Sequence, residues 1–344
     1  MAENISPGIG LADIAKDANC SVAAVSLVLN PGKGKLSRIS EKTRHRILTS
    51  AGKLGYRPNR HAEFLKRGSI PEIGIFLPNF GTNLVLEMIK GCCSSAQEAA
   101  FPVSFSFDES DNALEKFLTE ATARRNCGLL IYPENRFDGA GELLQKYCSS
   151  GGKVVFVEPQ GPEMLCPMPE LPRVLFDDAN GGKLVAEHLL EQGCRNFIIY
   201  GDGRTRVSAF MEHIEKHNCR FTHLTMKTTP VAVIEEIRSC GADTGVFCTM
   251  DTLAINLHTA LLKAGIIPGK DIKLCGYDYL LHMHQLTPKL TSVFQPFKEL
   301  GYRAVKMLID QIYGLPVQNQ TFQPELRPLE STLGYNKNNN LHIH

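Results

Sequence analysis

A chain of 344 residues is too long for one small domain and suits two or three, and its 43% hydrophobic and 21% charged residues are ordinary for a soluble globular protein. No stretch approaches the roughly 20 apolar residues of a membrane helix, and the N-terminus lacks the basic flank and apolar run of a signal peptide. Residues 1–69 hold 12 Lys and Arg against 5 Asp and Glu, whereas the remainder holds 25 against 31. We therefore expect a cytoplasmic protein with a basic head on an acidic body.

The first predicted elements are three short helices. Apolar residues recur with a helical period over 11–18, and Asn19 then suits the left-handed conformation of a tight turn. Ser21 is a good N-cap for a second helix with its own apolar face, and Ser40 caps a third helix that includes Leu48 and stops at Gly55. This order is typical of a helix–turn–helix, which presents its second helix to a DNA major groove. The positive charge favours that interpretation over a helical bundle with no nucleic-acid role.

Five linked motifs follow one another in this head: LADIA (11–15), SVAAVS (21–26), LN (29–30), SEKTR (40–44) and LGYRPN (54–59). Together they resemble the head of the lactose/galactose-repressor (LacI/GalR) family of bacterial transcription regulators. A looser resemblance extends to EST at 330–332, so it covers nearly the whole chain. The resemblance implies a homodimeric, sequence-specific regulator, of the repressor type, that binds a palindromic operator in double-stranded DNA.

The resemblance also implies which residues contact DNA, in the recognition helix, the loop after it and a hinge helix: Ser21, Val22, Ala23, Ser26, Leu27, Asn30, Arg57, Asn59, Ala62, Leu65 and Lys66. Leu27 stands where many relatives place Arg, so the helix can contact thymine methyl groups but lacks a bidentate guanine contact. In the family's hinge motif, matched by Ala62 and Leu65, the leucine wedges between base steps of the minor groove. The alternative is a plain linker without DNA contact.

From residue 73 onwards, predicted strands and helices alternate, which indicates doubly wound parallel sheets. A Pro-rich stretch at 159–172 separates two such halves, and the segment 290–296 resembles the family's crossing segment. The predicted strands are 73–78, 103–107, 128–133, 154–158, 173–178, 196–200, 245–249 and 272–276. The predicted helices are 83–99, 111–125, 139–150, 181–192, 251–264 and 297–313.

The predicted fold class is α/β, with an N-terminal helix–turn–helix head and a body like the bilobed periplasmic sugar-binding proteins, in which a ligand between the lobes closes them by hinge motion. The head spans 1–57, a hinge helix or linker spans 58–70, and the effector-binding body spans 71–344. Within the body, one lobe is expected at 71–172 with 297–323 and the other at 173–293 with 324–344.

By resemblance, Arg206 and Asp278 contact a small effector, since RVSAF (206–210) is similar to the family's Arg-x-x-Gly-Phe motif and GYD (276–278) ends a strand at the cleft. An arginine fork and a carboxylate suit adjacent hydroxyls, which favours a sugar or sugar derivative. Phe80 and Asn83 are candidates to line the cleft from the other lobe. The alternative is that Arg206 and Asp278 pair with each other or with the backbone. We expect Asp251 to be a helix cap.

The sequence carries no nucleophile elbow, no dinucleotide fingerprint and no metal motif, and its 11 cysteines include no Cys-x-x-Cys. We expect no cofactor, no bound metal, no membrane partner and no enzymatic activity. Two other interpretations stay open: a regulator of the same build without ligand control, and a solute-binding protein of a transporter. A basic head and the missing signal peptide oppose the second.

Overall fold

The structure is a computed structural model, and it describes residues 10–29, 39–54, 64, 68–77, 83–107, 110–133, 140–157, 168, 170–241 and 243–334. These residues form a small helical head and a body of two lobes, each built on a six-stranded sheet. The predicted α/β fold class is confirmed. Within the described ranges, no helix has the length and apolar character needed to span a bilayer.

The head contains three helices: α1 (Leu11–Asp17), α2 (Val22–Leu29) and α3 (Glu41–Lys53). In the turn between α1 and α2, Asn19 has a φ of 45°, which is the predicted left-handed conformation. Ser21 Oγ accepts a hydrogen bond from Ala24 N at 3.1 Å, and Ser40 Oγ accepts one from Thr43 N at 3.3 Å. Both predicted N-caps are therefore confirmed.

Apolar residues of all three helices meet in one core, which includes Ile14, Val25 and Ile47. Leu48 does not belong to it. It lies within α3 as predicted, but its side chain is 48% exposed, because Ile47 and Ala51 form the buried face of that helix. The helix ends at Lys53, and Gly55, its predicted stop, lies outside the described residues.

A polar contact ties the first helix of the head to the third. Asp17 accepts hydrogen bonds from Ser50 Oγ at 2.7 Å and from Lys53 Nζ at 3.0 Å. The bonds from Ser50 and Lys53 favour the ionised carboxylate and lower the pKa of Asp17. Since α2 contacts both of these helices, the bond between them helps to fix the angle at which α2 is presented.

The first lobe has a wholly parallel sheet in the order β11-β5-β4-β3-β1-β2, with helices on both faces. Its central strands are continuous apolar runs, since both faces of a parallel strand in this sheet are buried under helices. Its strands are β1 (Ile70–Phe76), β2 (Val103–Ser106), β3 (Asn126–Ile131), β4 (Lys153–Val157), β5 (Arg173–Phe176) and β11 (Gln320–Phe322). Its helices are α4 (Asn83–Glu98), α5 (Ala113–Arg124), α6 (Ala140–Ser149) and α11 (Phe297–Ile312).

The second lobe has the sheet order β12-β10-β9-β8-β6-β7, parallel except for the β10–β12 pair. Its strands are β6 (Asn196–Tyr200), β7 (Arg220–Leu224), β8 (Thr244–Cys248), β9 (Lys273–Asp278), β10 (Thr291–Phe294) and β12 (Glu325–Arg327). Its helices are α7 (Asp178–Glu191), α8 (Arg204–Glu215), α9 (Pro230–Cys240), α10 (Asp251–Lys263) and α12 (Glu330–Leu333), with a 3-10 helix at Leu281–Gln285.

The chain passes between the lobes three times, after β5, after β10 and after β11. The predicted boundary at residue 173 is one strand too early, because β5 pairs with β4 and β11 in the first sheet. The segment after β10 leads into α11, which packs on α4, β3 and β4 of the first lobe. These crossings place the carboxyl ends of β5, β9 and β10 at the junction of the two lobes.

Helices α4 and α11 approach each other at two glycines. A Cβ on Gly91 would lie 1.9 Å from Lys298 O, and one on Gly301 would lie 2.4 Å from Met88 O. Backbone atoms cannot move away as a flexible side chain can, so each position requires a glycine if the helices are to keep this spacing. The close approach holds α11, and with it the end of the crossing segment, firmly on the first lobe.

We expect Gly91→Ala to destabilise the first lobe by about 1–3 kcal/mol, because the new methyl group forces the two helices apart. The matched control is Gly52→Ala in α3, where a Cβ meets nothing within 4 Å. This substitution should raise the free energy of unfolding by about 0.5–1 kcal/mol, because alanine has the higher helix propensity. Urea unfolding of both variants measures the difference. Equal effects of the two substitutions would show that the helix contact is not tight.

Candidate functional site

The recognition helix presents its predicted groove-facing residues on the side opposite the core. Val22 is 48% exposed, Ser21 and Ala23 are exposed, and Ser26 and Leu27 are half-buried. Val25 and Val28, one turn apart on the other side, are buried in the head core. The side chains exposed on α2 are thus short and uncharged, and each is either apolar or carries a hydroxyl group. The other predicted DNA contacts lie outside the described residues: Asn30, Arg57, Asn59, Ala62, Leu65 and Lys66.

In the second lobe, Arg206 of α8 forms a buried ion pair that the sequence did not predict. Its Nη2 donates to Asp178 Oδ1 at 3.0 Å and to Oδ2 at 2.9 Å, and its Nε donates to Oδ2 at 3.3 Å. Its Nη1 donates to Thr249 O at 2.9 Å and lies 4.0 Å from Asp278 Oδ1. Asp178 and Asp278 therefore share one guanidinium. Asp178 is the bidentate partner and Asp278 is the looser one.

Aromatic and glycine residues enclose this ion pair. The Arg206 guanidinium carbon lies 3.8 Å from the centroid of the Tyr277 ring, and Tyr277 Oη donates to Asp178 Oδ1 at 3.0 Å. A Cβ on Gly182 would lie 2.0 Å from Arg206 O, and one on Gly181 would lie 2.0 Å from Tyr277 Oη. The consecutive glycines at the start of α7 thus let that helix reach the pair. Burial lowers the pKa of Arg206, but the adjacent carboxylates outweigh it and hold the net pKa above its ordinary value.

Asp278 ends β9 in a strained turn. Its φ is 111° and that of Tyr279 is 56°, both in the region that side chains disfavour. Asp251 holds this turn, because its Oδ2 accepts from Leu280 N at 2.8 Å and its Oδ1 accepts from Ser292 Oγ at 2.7 Å. Ser292 Oγ in turn accepts from Tyr279 N at 3.2 Å. Burial raises the pKa of Asp278 well above its ordinary value.

The predicted role of Asp251 as a helix cap is wrong. Helix α10 begins at Asp251 itself, and Met250 occupies the N-cap position without a side-chain hydrogen bond. The Asp251 carboxylate is fully buried and faces the turn after β9, which is distant in sequence and therefore invisible to a local pattern. Burial raises its pKa to about 7, although the bonds from Ser292 and the backbone of Leu280 oppose that shift.

A pocket of about 390 Å³ lies at the junction of the lobes, beside the strained turn. It brings together Asn83 of the first lobe and Asp278 of the second, two of the predicted effector residues. Arg206 is not among the described residues that line the pocket, although its Nη1 lies 4.0 Å from Asp278 Oδ1. Gln295 of the crossing segment lines the pocket and donates from Nε2 to Asp178 Oδ1 at 3.4 Å. Phe80, the fourth predicted residue, lies outside the described ranges.

The pocket is bounded by both lobes and by the segment that joins them. Its wall is formed by residues of α4 and α11, of the turn after β9 and of the crossing segment. In the part of the chain that the structure describes, no three His, Cys, Asp or Glu side chains are grouped closely enough to hold a metal ion. The chemistry that this arrangement offers is binding through hydrogen bonds and apolar contact.

Comparison with known proteins gives two family matches. Residues 10–59 match the family described as bacterial regulatory proteins, lacI family, and residues 186–332 match the periplasmic binding protein-like domain. The chain is similar to the HTH-type transcriptional regulator DegA of Bacillus subtilis, at 26% identity over 84% of this chain and 87% of that protein. It is also similar to the HTH-type transcriptional repressor PurR of Proteus mirabilis, at 26% identity over 92% of this chain and 94% of that protein.

Solved structures share the fold. The lac repressor dimer bound to operator and the anti-inducer ONPF has a TM-score of 0.64 at 21% identity, covering 95% of this chain and 99% of that one. The complex of the transcriptional regulator CelR with cellobiose has a TM-score of 0.65 at 20% identity, covering 94% and 99%. A helix–turn–helix head on a body of this fold defines a DNA-binding transcription regulator and not an enzyme.

The predicted resemblance to the lactose/galactose-repressor (LacI/GalR) family is confirmed for the head, where residues 10–59 match the lacI family of bacterial regulatory proteins.

The buried Asp251 generates a prediction about pH. Its pKa is about 7 in the folded protein against 3.8 as the ordinary value, so the folded state holds this proton more firmly than the unfolded state. The resulting stabilisation is present at low pH and is lost as the pH rises through about 7. Asparagine at this position carries no such proton and can still accept from Leu280 N. We therefore expect Asp251→Asn to gain stability relative to the unsubstituted protein as the pH is raised.

The measurement is the difference in urea midpoint between Asp251→Asn and the unsubstituted protein at about pH 5 and about pH 8. Taking the difference cancels the titrating groups that do not interact with Asp251, including the buried His188 and His258, whose pKa values are lowered by burial. Asp243→Asn, the same substitution at an exposed site of the second lobe, should show a constant difference. A constant difference for Asp251→Asn as well would contradict the raised pKa.

Proposed function

We propose that the protein is a homodimeric repressor whose affinity for a palindromic operator is set by a small effector, a sugar or sugar derivative, bound between the lobes. The observation that carries the proposal is the pocket shared by Asn83, Asp278 and Gln295, because it is bounded by both lobes and by the segment that crosses between them. A ligand bound there makes different contacts in different orientations of the lobes, so its affinity differs between those orientations. Such a difference in affinity is what control of a distant site requires.

In this proposal, the head reads the operator through the exposed end of α2. Val22 and Ala23 contact thymine methyl groups, and Ser21 and Ser26 donate to base edges or phosphate. Leu27 stands in place of the Arg common in relatives, so guanine readout by this helix is absent. Affinity comes largely from the net positive charge of residues 1–69. By resemblance, Asn30, Arg57, Asn59 and Lys66 add contacts, and Ala62 and Leu65 enter the minor groove.

The coupling between pocket and head runs through the crossing segment. Gln295 contacts Asp178 of the second lobe, and the next residues lead into α11, which is fixed on the first lobe. If the second lobe rotates relative to the first, the crossing segment transmits the movement to α11. The position of the first lobe, to which the head is joined, therefore changes. Arg206 supports this site indirectly, since it holds Asp178 and lies near Asp278.

Dimerisation is supported by apolar side chains that the single chain leaves in solvent. Val231 of α9 and Leu281 of the 3-10 helix are each 64% exposed, and Leu86 of α4 is 51% exposed. Exposed apolar residues of this size are typical of surfaces that a partner subunit covers. A dimer with two identical heads matches a palindromic operator, because the two-fold axis of the protein coincides with that of the DNA.

One observation favours a second candidate, a regulator of the same build without ligand control. The donors of Arg206 are already satisfied by Asp178 and the Thr249 carbonyl, so this part of the cleft is complete without a ligand. Such a protein would bind its operator with an affinity that no small molecule changes. Titration of operator binding with a panel of sugars separates the two candidates.

We expect the full-length protein to select a palindromic site from a library of random duplexes, with affinity that falls steeply as salt is raised. Several phosphate contacts imply a loss of roughly a thousandfold or more between about 50 and 200 mM salt. Val22→Glu should abolish operator binding, because it places a carboxylate against the bases. Fluorescence anisotropy with the selected duplex measures both effects.

Leu262→Glu is the control, since Leu262 is 41% exposed on α10 of the second lobe. It should leave operator affinity unchanged. A flat salt response, or equal binding by Val22→Glu and the unsubstituted protein, would contradict the assignment of the head.

A further inference from the structure

Helix α8 ends in a His-x-x-x-His motif, which the resemblance to known regulators leaves without a role. His213 lies in the last turn of the helix, and His217 lies one turn further on, just after the helix ends at Glu215. Residues four apart on a helix lie on the same side of it. The two imidazole rings are accordingly adjacent, with their centroids 4.9 Å apart and their planes inclined at 31°. Neither residue lines the pocket between the lobes.

A backbone carbonyl fixes the position of the proton on His217. Its Nδ1 lies 2.9 Å from the carbonyl oxygen of His213. A carbonyl oxygen can only accept a hydrogen bond, so Nδ1 carries the proton and the neutral ring has its lone pair on Nε2. A bond of this kind is the usual outer contact of a histidine that ligates a metal ion, because it orients the ring and leaves the other nitrogen free. Since His217 is exposed, that nitrogen is open to an ion from solvent.

The charges around the histidine pair are mixed. Burial lowers the pKa of His213, and the nearby Glu187 of α7 opposes this shift, whereas His217, Lys183 and Lys216 add to it. A lowered pKa keeps the imidazole neutral at physiological pH, which is the form that ligates a metal ion. Lys183 Nζ lies 3.3 Å from Glu187 Oε1, so these two charges largely compensate each other. The pair also lies at the carboxyl end of α8, where the helix dipole favours a positive charge.

Two imidazoles define the class of ion. Imidazole nitrogen suits Zn²⁺, Cu²⁺ and Ni²⁺, whereas Mg²⁺ and Ca²⁺ take oxygen ligands. Across the described ranges, no third His, Cys, Asp or Glu lies close enough to make a set of three. Water therefore completes the coordination of a bound ion. We expect the affinity to be lower than that of a structural zinc site, which has four protein ligands.

We propose that His213 and His217 form a two-histidine site for a divalent first-row transition metal ion at the end of α8. The ion is bound by Nε2 of His217 and by one ring nitrogen of His213, and it joins the last turn of the helix to the turn that follows. Because the two rings are held together only in the folded chain, the ion stabilises the folded state over the unfolded one. The site is separate from the interlobe pocket and does not rest on the proposed function.

The test uses Ni²⁺ as the probe, since Ni²⁺ suits imidazole and, unlike Cu²⁺, does not oxidise the free cysteines. Titration calorimetry and thermal unfolding of the full-length protein should show Ni²⁺ binding and a raised unfolding midpoint, with no effect of Mg²⁺. His217→Ala, at an exposed position, and His213→Gln should each weaken Ni²⁺ binding by about tenfold or more, since the remaining imidazole then binds the ion alone.

Two controls separate this site from other histidines. His282→Ala removes an exposed histidine of the 3-10 helix, two positions from His284, where the spacing places the two rings on different sides. His342→Ala combined with His344→Ala removes the histidines at the end of the sequence. Both controls should bind Ni²⁺ as the unsubstituted protein does.

Three outcomes overturn the proposal. The first is the absence of Ni²⁺ binding by the unsubstituted protein. The second is unchanged affinity in both His213→Gln and His217→Ala. The third is loss of binding in either control, which would place the ion at another histidine. Weakened binding in both variants of the α8 pair, with both controls intact, is the result that the geometry of the pair predicts.

Discussion

The ion pair between Asp178 and Arg206 joins four elements of the second lobe at the face that meets the first. Asp178 begins α7, Arg206 lies on α8, Tyr277 on β9 stacks under the guanidinium, and the Thr249 carbonyl after β8 accepts its remaining donor. Removing both charges from water is expensive, and the cost is offset only when every donor finds a partner. That condition explains the two glycines of α7, which allow the helix to approach the pair closely.

A second buried network controls the turn that carries Asp278. Asp251 accepts from Ser292 on the crossing strand and from Leu280 in the turn, so the strained backbone at Asp278 depends on a strand that leads directly into the first lobe. Gln295, three residues after Ser292, contacts Asp178. The crossing segment therefore touches both acidic networks, and lobe movement must disturb at least one of them. This is a physical basis for coupling between the pocket and the head, with discrete groups that can be altered singly.

Much of the fold could be predicted from the sequence because its signals are local. The apolar period of α1, the caps Ser21 and Ser40, and the apolar runs of β3 and β6 each depend on neighbouring residues. The partner of Arg206 could not be predicted, since Asp178 is 28 residues away and reaches it only through the packing of α7 on α8. The place of β5 in the first sheet and the role of Asp251 likewise depend on contacts distant in sequence. Asn83 and Asp278, two of the predicted effector residues, line one pocket, whereas Arg206 does not line it.

The most direct measurement is a double-mutant cycle on the buried pair, with Asp178→Asn, Arg206→Met and the two combined, followed by urea unfolding of the full-length protein. Each single substitution leaves a buried group without its charged partner and should cost about 3–5 kcal/mol. The double variant should cost clearly less than the sum, with a coupling of about 2 kcal/mol or more, because neither Asp178 nor Arg206 then remains as an unpaired charge. The loss of the weaker contact with Asp278 is common to Arg206→Met and the double variant, so it does not contribute to the coupling. Additive costs would contradict the assignment of Asp178 as the group that holds Arg206, and would leave its guanidinium available to a ligand.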